Sequence, residues 1–283
     1  MQILKSYPVA LARETYVITS ECNLSLISAG VAFFAILSIF PGLAAIVALF
    51  GLVADPALVL AQVELMQDIM PASAYVIVVD QLTRLLQARP DTLGLASILS
   101  VLVALWSARA GVASLIRGLN AVFGHPNRHG LWHTLVALLM TLCLIGLALT
   151  AMSVVIIAPI VLAFLPATME SLPMIDALRW VAALVALVMA LGMLYRFGPN
   201  RTKARLHWIT PGAGVAVVLW LGASVGFSEY LANFGSYNEV YGSLGAVVAL
   251  LMWLYISAYL ILLGAALNVA REKLRTSRDR VAA

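Results

Sequence analysis

Long apolar runs alternate with short charged stretches along this chain. From Cys22 to Ala54 there is no charged residue, and five further apolar stretches follow. A bilayer core about 30 Å thick takes roughly 20 residues of helix to cross, at about 1.5 Å per residue. The pattern predicts six spanning helices: Leu26 to Ala54, Leu93 to Leu115, Leu131 to Phe164, Leu178 to Phe197, Trp208 to Leu231 and Ser243 to Val269. The expected fold class is therefore all-α, a polytopic membrane protein. Residues 1–25 form an N-terminal segment, 26–270 the membrane domain and 271–283 a basic tail.

Charge orients the bundle. Lys5 and Arg13, then Arg109, Arg117 and Arg128, then Arg196, Arg201, Lys203 and Arg205, and finally Arg271, Lys273, Arg275, Arg278 and Arg280 fall on one face, leaving Arg84, Arg89 and Arg179 for the other. Basic loops stay on the cytoplasmic side. Both termini are thus expected in the cytoplasm, and the acidic residues Asp55, Glu64, Asp68, Asp80, Asp91, Glu170, Asp176, Glu229 and Glu239 outside. Trp132, Trp180 and Trp208 begin spans, where amphipathic rings favour the headgroup layer. Composition agrees, at 63% hydrophobic and 11% charged residues with a mean hydropathy of +1.01, against roughly one-quarter charged in a soluble domain.

Several places break the regular pattern. Pro41 interrupts the first span and leaves the Leu37 carbonyl in need of a partner, which Ser38 is placed to help satisfy; the helix is either hinged there or statically kinked. The third apolar stretch outlasts one crossing, and Pro159, Pro166 and Pro173 mark its outer end, so it is expected to cross once and then turn along the surface. In the first external loop, about 55–92, Val76, Val79, Leu82 and Leu86 recur every three or four residues, the spacing of an amphipathic helix that caps the bundle or acts as a lid. Gly222 and Gly226 form a GxxxG expected to pack within the bundle.

Candidate chemistry is sparse. His125, His129 and His133 are four apart, but Pro126 and Gly130 argue against one continuous helix, and no metal site is expected. Cys22 and Cys143 read as small apolar fillers. Glu14, Glu21, Glu272 and Asp279 on the cytoplasmic face form no hydrolytic motif, and no phosphate-binding glycine loop is present. The basic stretch Arg196 to His207 is explained by topology and lipid phosphates, so no nucleic-acid partner is expected. Arg109 lies near the inner end of the second span, either snorkelling to the interface or offering a bidentate donor to a phosphate-bearing headgroup. The substrate-path candidates are Ser28, Ser38, Pro41, Arg109, Asn120, Tyr241 and Asn268, with Ser25 adding a hydroxyl.

Several stretches together carry a resemblance. They are Ser28 to Pro41 (SAGVAFFAILSIFP), Trp106-Ser-Ala-Arg109, Arg117-Gly-Leu-Asn120, Leu194-Tyr-Arg-Phe-Gly-Pro199, Trp208-Ile-Thr-Pro-Gly-Ala213, Tyr241-Gly-Ser-Leu-Gly245, Trp253-Leu-Tyr255 and Leu263-Gly-Ala-Ala-Leu-Asn268. In content and order, over about residues 15–272, they resemble the YihY/BrkB family of bacterial inner-membrane proteins. The resemblance implies six helices in the cytoplasmic membrane. Its members were once labelled ribonuclease BN, an assignment since regarded as mistaken, and others were linked to serum resistance or to movement of envelope lipids. Where relatives commonly carry Glu in a Gly-Ala-Glu-x-Asn pattern, this chain has Ala266.

The expected function is non-enzymatic: a transporter or translocator of an amphipathic envelope substrate, such as a lipid or lipid-linked precursor, with no cofactor and with membrane lipids as partners. The alternative is a non-transporting scaffold for envelope assembly; a ribonuclease is disfavoured.

Overall fold

A computed structural model of the 283-residue chain describes residues 2–53, 90–128, 130–163, 172–200, 208–232 and 243–282. Among them there are seven α-helices and no strand: α1 (Gln2–Glu21), α2 (Leu24–Val53), α3 (Pro90–Val122), α4 (Gly130–Ala163), α5 (Leu172–Phe197), α6 (Pro211–Ala232) and α7 (Ser243–Ala282). Five are long and apolar enough to cross a membrane, and the bent pair Tyr7–Glu21 and Leu24–Ile39 makes a sixth span if taken as one. The protein is an all-α polytopic membrane protein. Residues 55–89 of the first external loop, with its expected amphipathic helix, lie outside the described residues; of the prolines expected to mark the outer end of the third stretch, Pro166 lies outside them too, whereas Pro159 falls within α4, which runs on through it, and Pro173 within the first turn of α5.

The sharp break comes at Asn23. The two helices meet there at 61°, and Asn23 has φ +50°, a left-handed conformation that Asn tolerates better than most residues. The Cys22 N–H closes α1 on the Ile18 carbonyl, while the Asn23 carbonyl accepts from Leu26 and Ile27 to open α2. At Pro41, by contrast, α2 continues to Val53. The Ser38 hydroxyl donates to the Ala35 carbonyl at 2.7 Å and not to Leu37, because a helical serine reaches the carbonyl three or four residues back, never its neighbour's.

The chain divides into two compact units, Met1–Phe34 with Arg109–Ala283, and Ala35–Ala108. In the larger unit α6 packs on α7, α4 on α5, α5 on α6 and α1 on α7. Small residues permit these approaches: nine of the buried hydrophobic residues described are alanine, which brings backbones together where lipid supplies no hydrophobic drive between helices. At the α6–α7 crossing, a Cβ on Gly212 would overlap the Gly264 carbonyl and the Asn268 side chain, and one on Gly264 would overlap the Gly212 carbonyl. Further along, the Trp220 indole donates to Ser257 Oγ at 3.0 Å and its ring lies 5.4 Å from that of Trp253. The outward faces are apolar, with Leu131, Trp132, Trp180, Val218 and Val225 all exposed, as lipid contact requires.

The GxxxG does not pack as expected. Gly222 and Gly226 are exposed, and a Cβ on either meets nothing within 4 Å among the described residues. The close approach falls instead at Gly212, where α6 begins.

Candidate functional site

Three of the motifs behind the resemblance, Arg117–Asn120, Leu194–Pro199 and Trp208–Ala213, lie at the ends of α3, α5 and α6. Gly124, with φ +66°, ends α3: its N–H reaches the Ala121 carbonyl and the His125 N–H reaches the Asn120 carbonyl at 2.8 Å, the bond pair of a Schellman turn. Pro126 follows, and α4 starts only at Gly130. His125 and His133 therefore lie on opposite sides of a break, while His129 lies outside the described residues.

Asn120 is fully buried and works from both ends. Its Nδ2 donates to Asn127 Oδ1 at 2.9 Å, and its Oδ1 accepts the Asn200 N–H at 2.7 Å. Asn200 returns a bond from Nδ2 to the Pro126 carbonyl at 3.1 Å. Arg128 then crosses from the same loop to the end of α5, where Nη1 donates to the Gly198 carbonyl at 2.7 Å and Nη2 to that of Pro199 at 3.0 Å. Burial lowers the Arg128 pKa from its ordinary value. The carbonyls at the helix C-terminus, where the dipole favours a cation, offset that loss of hydration.

A second cluster closes the start of α6. Of the first helical positions, Pro211 has no N–H to satisfy, the Gly212 N–H goes to Asn268 Oδ1 at 2.8 Å, and the Ala213 N–H goes to Thr210 Oγ1 at 3.2 Å. Gly214 bonds the Thr210 carbonyl, completing the turn. Asn268 Nδ2 also donates to Thr210 Oγ1 at 2.9 Å, so a residue of α7 caps α6 twice over. Beside it, the buried Tyr195 hydroxyl of α5 donates to the Ile261 carbonyl of α7 at 2.6 Å.

The sequence candidates are thus distributed. Asn120 and Asn268 belong to two different hydrogen-bonded clusters. Ser28 is buried and bonded to the Leu24 carbonyl of its own helix. Arg109 is half-buried, eleven residues before Asn120 and so roughly 16 Å back along α3. Ser38 and Pro41 belong to the smaller unit, and Tyr241 lies outside the described residues. Ala266 is fully enclosed in α7. Thr210, Arg128 and Asn200 were not singled out by sequence; Thr-Pro-Gly at 210–212 is an N-cap signal that should have started the helix at Pro211, not Trp208.

Two apolar clefts lie on the flank of the larger unit. One, about 380 Å³, runs between α4, α5 and α6 past Leu144, Trp180, Leu187 and Leu221. The other, about 440 Å³, is bounded by Leu184, Val185, Val188, Met189, Trp208 and Ile209. At its end the Arg196 guanidinium sits 5.4 Å from the Trp208 ring centre and 5.6 Å from that of Phe197.

Residues 17–283 match the family described as Virulence factor BrkB. YfkH of Bacillus subtilis, whose name calls it ribonuclease-like only provisionally, is 30% identical over 260 residues, 89% of this chain and 91% of YfkH. A UPF0761 membrane protein of Xanthomonas axonopodis pv. citri is 40% identical over 83 residues, 29% of this chain and 19% of that protein. One from Xanthomonas oryzae pv. oryzae is 43% identical over 75 residues, so the chain spans under a fifth of these two relatives' length. No solved structure matches. With one match running almost end to end and a relative similar along most of both chains, this membrane protein belongs to the BrkB virulence-factor family.

Proposed function

We propose that the protein sits in the bacterial cytoplasmic membrane, both termini inside, and moves or presents an amphipathic envelope lipid or lipid-linked precursor. The observation that carries this reading is the 380 Å³ apolar cleft between α4, α5 and α6, whose lining suits an acyl chain that never leaves the hydrocarbon. Arg109 supplies the headgroup contact, as a planar bidentate donor for phosphate. The test is reconstitution into liposomes with leaflet-specific assays of labelled phospholipids and lipid-linked precursors. Transbilayer movement above protein-free vesicles is expected, abolished by Arg109→Ala at unchanged abundance and only partly restored by Arg109→Lys. No movement of any of these lipids sinks the reading.

A scaffold for envelope assembly is the second reading, and the two polar clusters favour it. Asn120, Asn268, Thr210 and Arg128 all serve to tie helix ends together. The ribonuclease reading raised by the name of the Bacillus relative has no observation in its favour: the buried polar residues described are Ser, Thr and Asn, with no carboxylate among them. Purified protein should cleave RNA no faster than a mock preparation.

A further inference from the structure

We propose that α1 is an interfacial helix: it lies in the plane of the membrane at the basic end of the bundle, with Val9, Ala12 and Tyr16 resting on lipid and Glu14 and Glu21 turned to water. The surface it fits is the boundary between headgroups and acyl chains. The assignment stands whether or not the protein moves lipid.

Helix α2 does not need α1 in order to cross. Its 30 residues carry no charge and extend about 45 Å, more than a bilayer core of about 30 Å requires. The 61° bend at Asn23 then turns α1 away from the direction in which α2 runs. Where α1 goes is fixed by α7, on which it packs. Glu14 pairs with Lys273, whereas Tyr16, two residues on and so pointing to nearly the opposite side of α1, interacts electrostatically with Tyr259. Those two positions of α7 are fourteen residues apart, about 21 Å along the helix. A helix running along α7 would match neighbouring positions to neighbouring positions, so α1 crosses α7 instead. The crossing falls between the two, where the enclosed Ala265, Ala266 and Ala270 give way to the charged stretch that starts at Arg271. That change of character in a spanning helix marks headgroup depth.

The two sides of α1 differ to match. Val9, Ala12 and Tyr16 recur at intervals of three and four, share one side and are exposed, while Glu14 and Glu21, seven apart, share the side that faces the tail of α7. The Tyr16 side turns towards Tyr259, in the apolar part of α7, so what covers it lies at bilayer depth: lipid, not a cytoplasmic protein. Past the bend, Leu26 and Phe33 of α2 are exposed as well, so lipid already reaches the joint on which α1 turns. Tyrosine is an interfacial residue by type, and Arg13, exposed one turn from Val9, extends its charge to the phosphate layer along an apolar stem. Polar and apolar sides of this kind hold a helix in the interface plane.

The test uses full-length protein with Cys22 and Cys143 replaced, reconstituted in vesicles of phosphatidylethanolamine and phosphatidylglycerol, with single nitroxide labels introduced through Val9→Cys, Tyr16→Cys or Glu21→Cys. Oxygen, which concentrates in hydrocarbon, should relax the labels at positions 9 and 16 more than a water-soluble nickel chelate does, and the chelate should dominate at position 21. The labels at 9 and 16 should report one depth, whereas a helix inserted along its length would separate them by about 10 Å. Chelate dominance at both positions, a depth difference near that value, or spin–spin broadening from a second copy of the chain in place of lipid would overturn the proposal. Should a labelled variant fail to fold, the unmodified protein decides. A phospholipid carrying a diazirine on its acyl chain should, on photolysis in the same vesicles, leave adducts on Val9, Ala12 or Tyr16; an α1 without adducts refutes the interfacial placement.

Discussion

Removing the Asn268 amide tests whether an α7 side chain holds the start of α6. Asn268 is 8% exposed and makes two bonds, accepting from the Gly212 N–H at 2.8 Å and donating to Thr210 Oγ1 at 2.9 Å. In Asn268→Ala the Gly212 N–H is left buried without its acceptor, which costs about 1–3 kcal/mol, and the lost bond to Thr210 adds about 0.5–1.5 kcal/mol. A total of about 2–4 kcal/mol is expected. Asn268→Asp keeps an acceptor for Gly212 next to the positive end of the helix, and the Thr210 hydroxyl can turn to donate to it, so this variant should lose less than the alanine. Thermal unfolding in detergent, read alongside monodispersity, supplies the stabilities. Thr210→Ala alone should cost about 0.5–2 kcal/mol as the loss of an N-cap. The pair shares one cluster, so the double variant should fall short of the sum by at least about 0.5 kcal/mol. A neutral Asn268→Ala, or strict additivity with Thr210→Ala, would refute the cap.

The two glycine settings on α6 should separate cleanly. Gly212→Ala meets backbone across the crossing and should cost about 1–3 kcal/mol or more as overpacking, whereas Gly222→Ala meets nothing described within 4 Å and should gain about 0.5–1 kcal/mol from helix propensity, both read as thermal midpoints. Arg128→Lys should lose about 1–2 kcal/mol in the same assay, since one ammonium cannot span the Gly198 and Pro199 carbonyls as the fork does; stability equal to wild type would remove the clamp. For orientation, single cysteines at Gln67 and Asn238, with Cys22 and Cys143 replaced, should react with an impermeant maleimide on intact cells, while one at Ser277 should not; the reverse pattern would invert the topology.

Hydrophobic runs made most of the fold legible, because a spanning helix must satisfy its backbone internally and so announces itself by length and apolarity alone. The ends were harder. α7 runs on to Ala282, past the Val269 expected for the last span, because Arg271 to Arg280 is polar by composition yet good helix-forming sequence. The bend at Asn23 was missed since one residue in a left-handed conformation leaves no periodic trace. The site was less legible still: Asn120 and Asn268 were among the candidates, but as parts of a substrate path, and their partners Asn200 and Thr210 lie 80 and 58 residues away, where no spacing rule reaches. Gly222 and Gly226 make the opposite case, a local motif whose meaning depends on which face the helix turns inward.

The packing of α1 on α7 has a consequence for the order of events during synthesis. α1 turns Thr15, Ile18 and Thr19 inward, and Glu14 pairs with Lys273 at 3.0 Å across 259 residues of chain. Translation at about 5–20 residues per second separates the two by on the order of ten to fifty seconds. For that interval the face of α1 that packs on α7 is uncovered, and its apolar stripe must rest against the membrane or a chaperone. The ion pair, between a half-exposed lysine and a partly covered glutamate, contributes at most about 1 kcal/mol. The buried stripe must do the rest, so α1 docks only as the ribosome finishes, and a stalled or shortened chain leaves an amphipathic helix bare at the point where quality-control proteases can read it.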